Sequence, residues 1–182
     1  PSKLWAEETS FGLTHFLERG ERTDKLHFIM PNRCFLAHPL RSKRDSEPFW
    51  FKALFWYVPI DDESHLHFLI MVYHTKRRER PAGTPIHEEI TAIISGHKTW
   101  QDVAAHPNLI RIQDGVAIVG QGKIVDRSRE RLGTSDAAII LLRKIWSREL
   151  RLLDVGEEVT DFDTPDPQDL RREEIIAMGS NT

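Results

Sequence analysis

Three groups of side chains in this sequence have the chemistry to hold a metal ion or move a proton. The first is Asp114 in Gln113-Asp114-Gly115. Its carboxylate is a hard oxygen donor, and Gly115 beside it lets another part of the chain approach closely. An aspartate ahead of Gly-Val-Ala-Ile reads equally as the N-cap of a helix. The second group is Asp126-Arg127-Ser128 with Glu130. An arginine flanked by carboxylates is expected to form a buried or half-buried ion pair that fixes a turn, so this segment is assigned an architectural role. The third is His65 and His67, which alternate on a strand and so point to one face. With His74 or Asp62 they suggest a metal site carried on a sheet. The glycines and the glutamate needed at fixed offsets for such a site are absent, so they read as exposed or pocket-lining histidines. No Gly-rich phosphate loop, Ser-His-Asp order or Cys-x-x-Cys occurs, and no catalytic residue is assigned.

Composition narrows the class of protein. In 182 residues, 40% are hydrophobic and 29% charged, as expected of a folded soluble domain with a real core. No apolar run is long enough to span a membrane, and the start Pro1-Ser2-Lys3-Leu4-Trp5 is neither a signal nor a transit peptide, so a cytoplasmic location is expected. A start at proline rather than methionine reads as a processed or truncated product. A net charge of −3 gives no reason to expect nucleic acid as a partner. The basic run Lys76-Arg77-Arg78-Glu79-Arg80 reads as a solvated loop, with docking of an acidic redox partner as the alternative. The single cysteine, Cys34, excludes an internal disulfide. It also excludes, within this chain, an iron–sulfur cluster held by two cysteines and two histidines. Flanked by Arg33, Phe35 and Leu36, Cys34 is expected to be a small buried hydrophobe.

These residues must be positioned by regular elements. Strands are expected at 3–10, 13–19, 25–30, 47–60 and 66–74, with the hairpin connection Pro59-Ile60-Asp61-Asp62-Glu63-Ser64 between the last two. Local connections of this kind make an antiparallel sheet. The run Phe68-Leu69-Ile70-Met71-Val72-Tyr73 does not alternate, which predicts that both faces of its strand are covered, one by helix. Short helical pieces are expected at 88–95 and 99–105. Thr134 or Ser135 should cap a long helix running to about Leu153, with Asp136 in its first turn favourable to the helix dipole. Ile139, Leu142, Ile145, Trp146 and Leu153 repeat along it at helical spacing. The remainder is acidic and carries Pro165 and Pro167, so 154–182 is read as an extended surface tail, with a helical turn or two at 171–178, and 1–153 as one domain. The class is α+β, a helix-grip (START/Bet v 1-like) antiparallel sheet with a long C-terminal helix, expected to be incomplete in this chain. An apolar cavity lies between sheet and helix in that arrangement, and Phe55, Tyr57, Phe68 and Val119 are the expected lining.

The order of motifs resembles one family. Glu7-Glu8-Thr9-Ser10-Phe11-Gly12, Phe28-Ile29-Met30-Pro31-Asn32, the segment from Val58 to Phe68, and above all Gln113-Asp114-Gly115 with Asp126 to Asp136 after it are similar to the C-terminal part of the catalytic domain of Rieske non-haem iron oxygenase alpha subunits of the phthalate-dioxygenase type. The resemblance covers residues 5 to 150. It implies an enzyme that uses O2 and mononuclear Fe(II) to hydroxylate or O-demethylate an aromatic substrate. It further implies a [2Fe–2S] Rieske domain, electrons from a reductase or ferredoxin, and a homotrimer. Asp114 becomes the carboxylate of an iron-binding facial triad, and Asp126, Arg127, Ser128, Glu130 and Asp136 a structural motif. Where the family has a Gly-Pro-Ile after the aspartate, this chain has Ile118-Val119-Gly120-Gln121-Gly122-Lys123-Ile124. None of the nine histidines forms a pair four or five residues apart on a helix, so the other iron ligands are expected outside this chain, which would then not be self-sufficient. The alternative reading is a stand-alone, metal-free helix-grip protein that binds an apolar molecule.

Overall fold

A computed structural model of the chain describes residues 3–20, 22–40, 49–74 and 86–166. They fall into two compact units, one drawn from Pro1–Ile60, His65–Lys76 and Arg131–Thr182, the other from Asp61–Ser64 and Arg77–Glu130. The basic run at 76–80 and the helical turns expected at 171–178 lie outside the described residues.

The first unit is a six-stranded antiparallel sheet in simple sequence order: β1 (Lys3–Thr9), β2 (Gly12–Arg19), β3 (Arg22–Ile29), β4 (Arg33–Leu40), β5 (Phe49–Pro59) and β6 (His65–His74). Five of these agree with the sequence expectation. The strand over 33–40 does not, because a proline at position 39 argues against a strand reading, although it pairs in register with Trp50. The turn from β1 to β2 fixes the sheet's register. Gly12 sits at φ +137, and a Cβ there would lie 2.3 Å from the Phe28 carbonyl oxygen, so only glycine fits.

The long helix α4 (Ala137–Asp154) packs on β1 and β2. Asp136 sits at its N-terminus, and its Oδ2 accepts the Gly133 N–H at 2.8 Å. That satisfies backbone in the turn before the helix and places negative charge at the positive end of its dipole. The buried stripe of α4 is Ala138, Leu141, Leu142, Ile145 and Trp146, at the i, i+3, i+4, i+7, i+8 spacing. They meet Leu13, Phe28 and Met30 of the sheet; Leu13 and Ile145 are 2% and 1% exposed. Burying each of those two contributes about 2–3 kcal/mol. Two of the expected stripe residues, Ile139 and Leu153, are exposed. They lie off this face, because the helix turns its 138/141/142/145/146 stripe toward the sheet.

The segment after α4 is docked rather than free. Phe162 joins the same cluster, Pro165 is buried, and the Asp163 N–H donates to the Ser10 carbonyl at 3.0 Å. Glu149, buried on α4, accepts from the Thr160 N–H at 2.8 Å, from the Thr160 hydroxyl at 3.0 Å and from Arg148 Nε at 2.8 Å. Arg148 also reaches Glu8 on β1 at 2.7 Å. Arg148 and Glu149 together thus tie strand, helix and C-terminal segment.

The expectation that β6 is covered on both faces is corrected. β6 is the last strand of the sheet, and Leu66, Phe68, Leu69, Ile70, Met71 and Val72 are all exposed among the described residues. An apolar run identifies a strand, but its covering depends on which elements pack over it, and an edge position leaves it open.

The second unit consists of α1 (His87–Ile94), α2 (Trp100–Val103) and α3 (Leu109–Val119) around buried Ile90, Val103 and Ile112. The Thr99 N–H and hydroxyl both donate to Asp102 at the start of α2. No helix of the described residues is long and apolar enough to cross a membrane.

Glu149 gives a test of the latch. Burial alone would raise its carboxyl; the Thr160 N–H, Arg148 and the Thr160 hydroxyl outweigh burial and hold it below its ordinary value. A depressed carboxyl stabilises the fold above its ordinary pKa, and that contribution disappears as pH falls through the depressed value. Replacing Glu149→Gln is expected to cost about 1–2 kcal/mol at neutral pH. Chemical denaturation across pH 3–7 should show a flatter acid limb for the variant than for the wild type.

Candidate functional site

Backbone register sorts the sheet's side chains into two faces. Leu13 faces α4, and its direct partners across the strands, Glu8 and Phe28, share that side. Tracing the pairs outward places Cys34, Phe55 and Leu69 there too. One step along, the row is Ala6, His15, Leu26, Leu36, Ala53 and Met71. A cavity of about 330 Å³ opens over this part of the sheet, lined by His15, Leu17, Arg19, Asp24, Lys25, Leu26, Leu36 and Ala37. Its size suits one substituted ring. The Nε2 of His15 is buried and has no hydrogen-bond partner among the described residues, and burial lowers the pKa of its imidazole. His27 provides the contrast. It lies on the opposite face, buried, with Nδ1 2.9 Å from the Thr14 hydroxyl. The sequence reading expects a cavity, but the lining expected for it, Phe55, Tyr57, Phe68 and Val119, does not line this one, and it passes over His15. A signal is there, since Leu13, His15 and Leu17 alternate within an expected strand, which puts an imidazole on the apolar side.

Toward the β5–β6 turn the same face carries a group of rings. His67 stacks on Tyr57 with centroids 4.7 Å apart and on Phe55 at 5.7 Å, and His65 meets Tyr57 edge-on at 5.7 Å. Phe55 and Tyr57 are therefore brought together with both expected histidines. Burial, then the neighbouring Cys34, push the Tyr57 phenol up; burial, then His65, lower His67. Cys34 is itself pushed up to about 11 by burial, so it stays a neutral thiol, as a partly buried small hydrophobe would. Phe68 is not part of this group. Strand alternation turns it to the other face, against Trp56 at 6.1 Å. The β5–β6 turn is closed by Asp61, whose Oδ1 accepts the Glu63 N–H and the Ser64 hydroxyl.

Asp114 and Val119 belong to the helical unit, both exposed on α3. Asp114 is not a helix N-cap: α3 begins at Leu109 after Asn108, which puts the carboxylate in mid-helix. It makes no hydrogen bond or ion pair among the described residues. Gly115 does mark a close approach. A Cβ there would sit 2.3 Å from Ile90 Cδ1, so the glycine lets α3 lie against α1. In the segment after α3, Asp126 Oδ1 accepts the Ser128 N–H and hydroxyl and starts a short 3-10 helix, Arg127–Arg129. Arg127 pairs with Glu130 at 3.3 Å, on the surface rather than buried. Lys123 pairs with Glu63. No three His, Cys, Asp or Glu side chains of the described residues converge to hold a metal ion. The donors described in this chain therefore do not fit an iron centre by themselves.

No family model matches the chain. The chain is similar to the 5,5'-dehydrodivanillate O-demethylase oxygenase subunit of Sphingobium sp. (strain NBRC 103272 / SYK-6), at 31% identity over 119 residues. That match covers 60% of this chain and 26% of the Sphingobium protein, so the chain spans about a quarter of its relative's length.

The contact at Gly115 yields a prediction with opposed terms. Alanine in mid-helix gains up to about 1 kcal/mol of propensity over glycine. Crowding Ile90 in a packed contact costs roughly 1–3 kcal/mol. Crowding should win, so Gly115→Ala is expected to destabilise the α1–α3 pair, read as faster amide hydrogen exchange at Ile90 and Ile112 than in the wild type.

Proposed function

We propose that this chain is the C-terminal part of the catalytic domain of a Rieske-type non-haem iron oxygenase, one that hydroxylates or O-demethylates an aromatic substrate with O2. The observation that carries the reading is the similarity to an O-demethylase oxygenase subunit, in a chain whose ordered motifs independently resemble that family. The antiparallel sheet with its C-terminal helix is consistent with a helix-grip domain, and one face of that sheet carries a cavity of suitable size.

In this reading the chain contributes two things. The first is the Asp114 carboxylate, exposed on α3 and without a partner among the described residues, as one of three iron ligands. Two imidazoles from outside this chain complete the set. The second is an apolar wall for the substrate, with Phe55 and Tyr57 on the α4 face of the sheet. A [2Fe–2S] Rieske domain, a reductase or ferredoxin, and a trimeric assembly belong to the complete protein.

Asp114→Ala in the complete protein is expected to abolish stoichiometric Fe(II) retention after anaerobic reconstitution, together with turnover of a methoxylated or carboxylated aromatic. Retained iron would remove Asp114 from the ligand set. The coding sequence upstream of Pro1 offers a separate check: a Cys-x-His…Cys-x-x-His pattern and a helix with two histidines are expected there. A folded, metal-free complete protein that binds an apolar ligand and consumes no O2 would instead favour the binding-protein reading.

A further inference from the structure

We infer that β6 is an assembly edge: it pairs antiparallel with β6 of a second copy of this chain, joining two six-stranded sheets across a two-fold axis. The edge is open by its chemistry. Among the described residues β6 is the last strand of the sheet, and its sequence His-Leu-His-Phe-Leu-Ile-Met-Val-Tyr-His contains no Asp, Glu, Lys, Arg or Pro. It pairs with β5 without interruption from Trp50–His74 to Pro59–His65, so no bulge turns it away. Edge strands that stay solitary normally carry a lysine, a proline or a bulge, because bare backbone donors and acceptors beside apolar side chains invite another strand.

The pattern of exposure says what kind of partner fits. Leu66, Phe68, Ile70 and Val72, on the face away from α4, are 51, 48, 54 and 49% exposed. Leu69 and Met71, on the α4 face, are 37% and 39% exposed. A partner lying on one face of the sheet would leave the other row in water. A strand added in the plane of the sheet shields both rows, provided that it is itself apolar on both faces. β6 of a second copy is such a strand. With the two-fold axis perpendicular to the sheet beside Leu69 and Ile70, Leu66, Phe68, Ile70 and Val72 of both copies line one side. The two strands bring no formal charge against a like charge. The contact is isologous, so it closes at two copies. The six side chains offer roughly 500 Å² per copy, or about 1,000 Å² for the pair, the size at which a specific interface begins. The inference is independent of the oxygenase reading, which concerns Asp114 and the α4 face of the sheet.

Sedimentation velocity of the 182-residue chain, from low to high micromolar concentration, is expected to show a shift from one chain mass to two. Ile70→Lys changes an already exposed side chain and sets two cations side by side at the axis, so it should weaken the dimer at least tenfold. Leu150→Lys makes the same change at a position 55% exposed on α4 and should leave the dimer unaltered. Cysteine cross-linking tests the contact without added charge, should Ile70→Lys fail to fold. Under mild oxidation one of Leu69→Cys and Ile70→Cys, whichever lies on the axis, should form a disulfide between copies. The wild type should not, since burial holds its Cys34 thiol neutral. A chain that stays monomeric, masses beyond two copies, equal losses in the two lysine variants, a dimer that survives Ile70→Lys, or no cross-link from either cysteine would each overturn the inference. Iron retention in the complete protein is a separate readout: a monomeric chain leaves the Asp114 assignment standing, and loss of that assignment leaves the β6 pairing standing.

Discussion

The seating of Ile145 against Leu13 is the contact on which the first unit depends. A single antiparallel sheet is stable only if at least one face is kept from water, and α4 supplies that cover at the β1–β2 end. Everything around the contact reinforces it. Leu142 and Trp146 extend the stripe, Phe162 closes it from the segment after the helix, and Arg148 and Glu149 pin the helix to Glu8 and Thr160. Glu149 is the informative member. A buried glutamate without partners would be strongly unfavourable, so its three hydrogen bonds are what allow a carboxylate in this position at all.

Because α4 covers one end of the sheet, the same face is left available elsewhere for a ligand. Register then decides what a ligand meets. Side chains alternate with period two, so a slip of one residue in β2 would exchange the cavity side chains His15 and Leu17 for Thr14 and Phe16. Gly12 guards against that slip. Its positive φ and the 2.3 Å separation that any Cβ would have from the Phe28 carbonyl fix β2 against β3 at Gly12–Ile29, the pair next to Leu13–Phe28 from which the His15 row is counted. Backbone geometry at one glycine is in this way coupled to the chemistry of a side chain three residues on.

Much of this fold is legible in the sequence, and the exceptions have physical causes. The long helix, the two short helical pieces and five of six strands come from periodicity and turn residues, which act locally. β4 escapes a sequence reading because Pro39 lies within it, and proline is compatible with a strand only in particular pairings. The α4 stripe differs from expectation at Ile139 and Leu153, since several apolar faces exist on that helix and only the position of the sheet selects one. The exposure of β6 has the same origin. Phe55 and Tyr57 can be grouped by alternation, and alternation also separates them from Phe68, a step the apolar character of all three obscures. His15 is hidden from the sequence because burial and the lack of a partner are properties of the folded chain alone.

Asp114 illustrates how differently the two units hold their polar groups. In the sheet unit, Glu149 is buried, bonded and structural, and removing it would release both Arg148 and the segment at Thr160. On α3, Asp114 faces solvent in the middle of a helix whose packing is carried by Ile112 and by the glycine next to it. A carboxylate in that setting contributes nothing evident to folding: it caps no terminus and makes no bond among the described residues. Aspartate is also among the poorer residues for a helix interior. Folding therefore leaves this carboxylate free of structural duties, as the proposed ligand role requires.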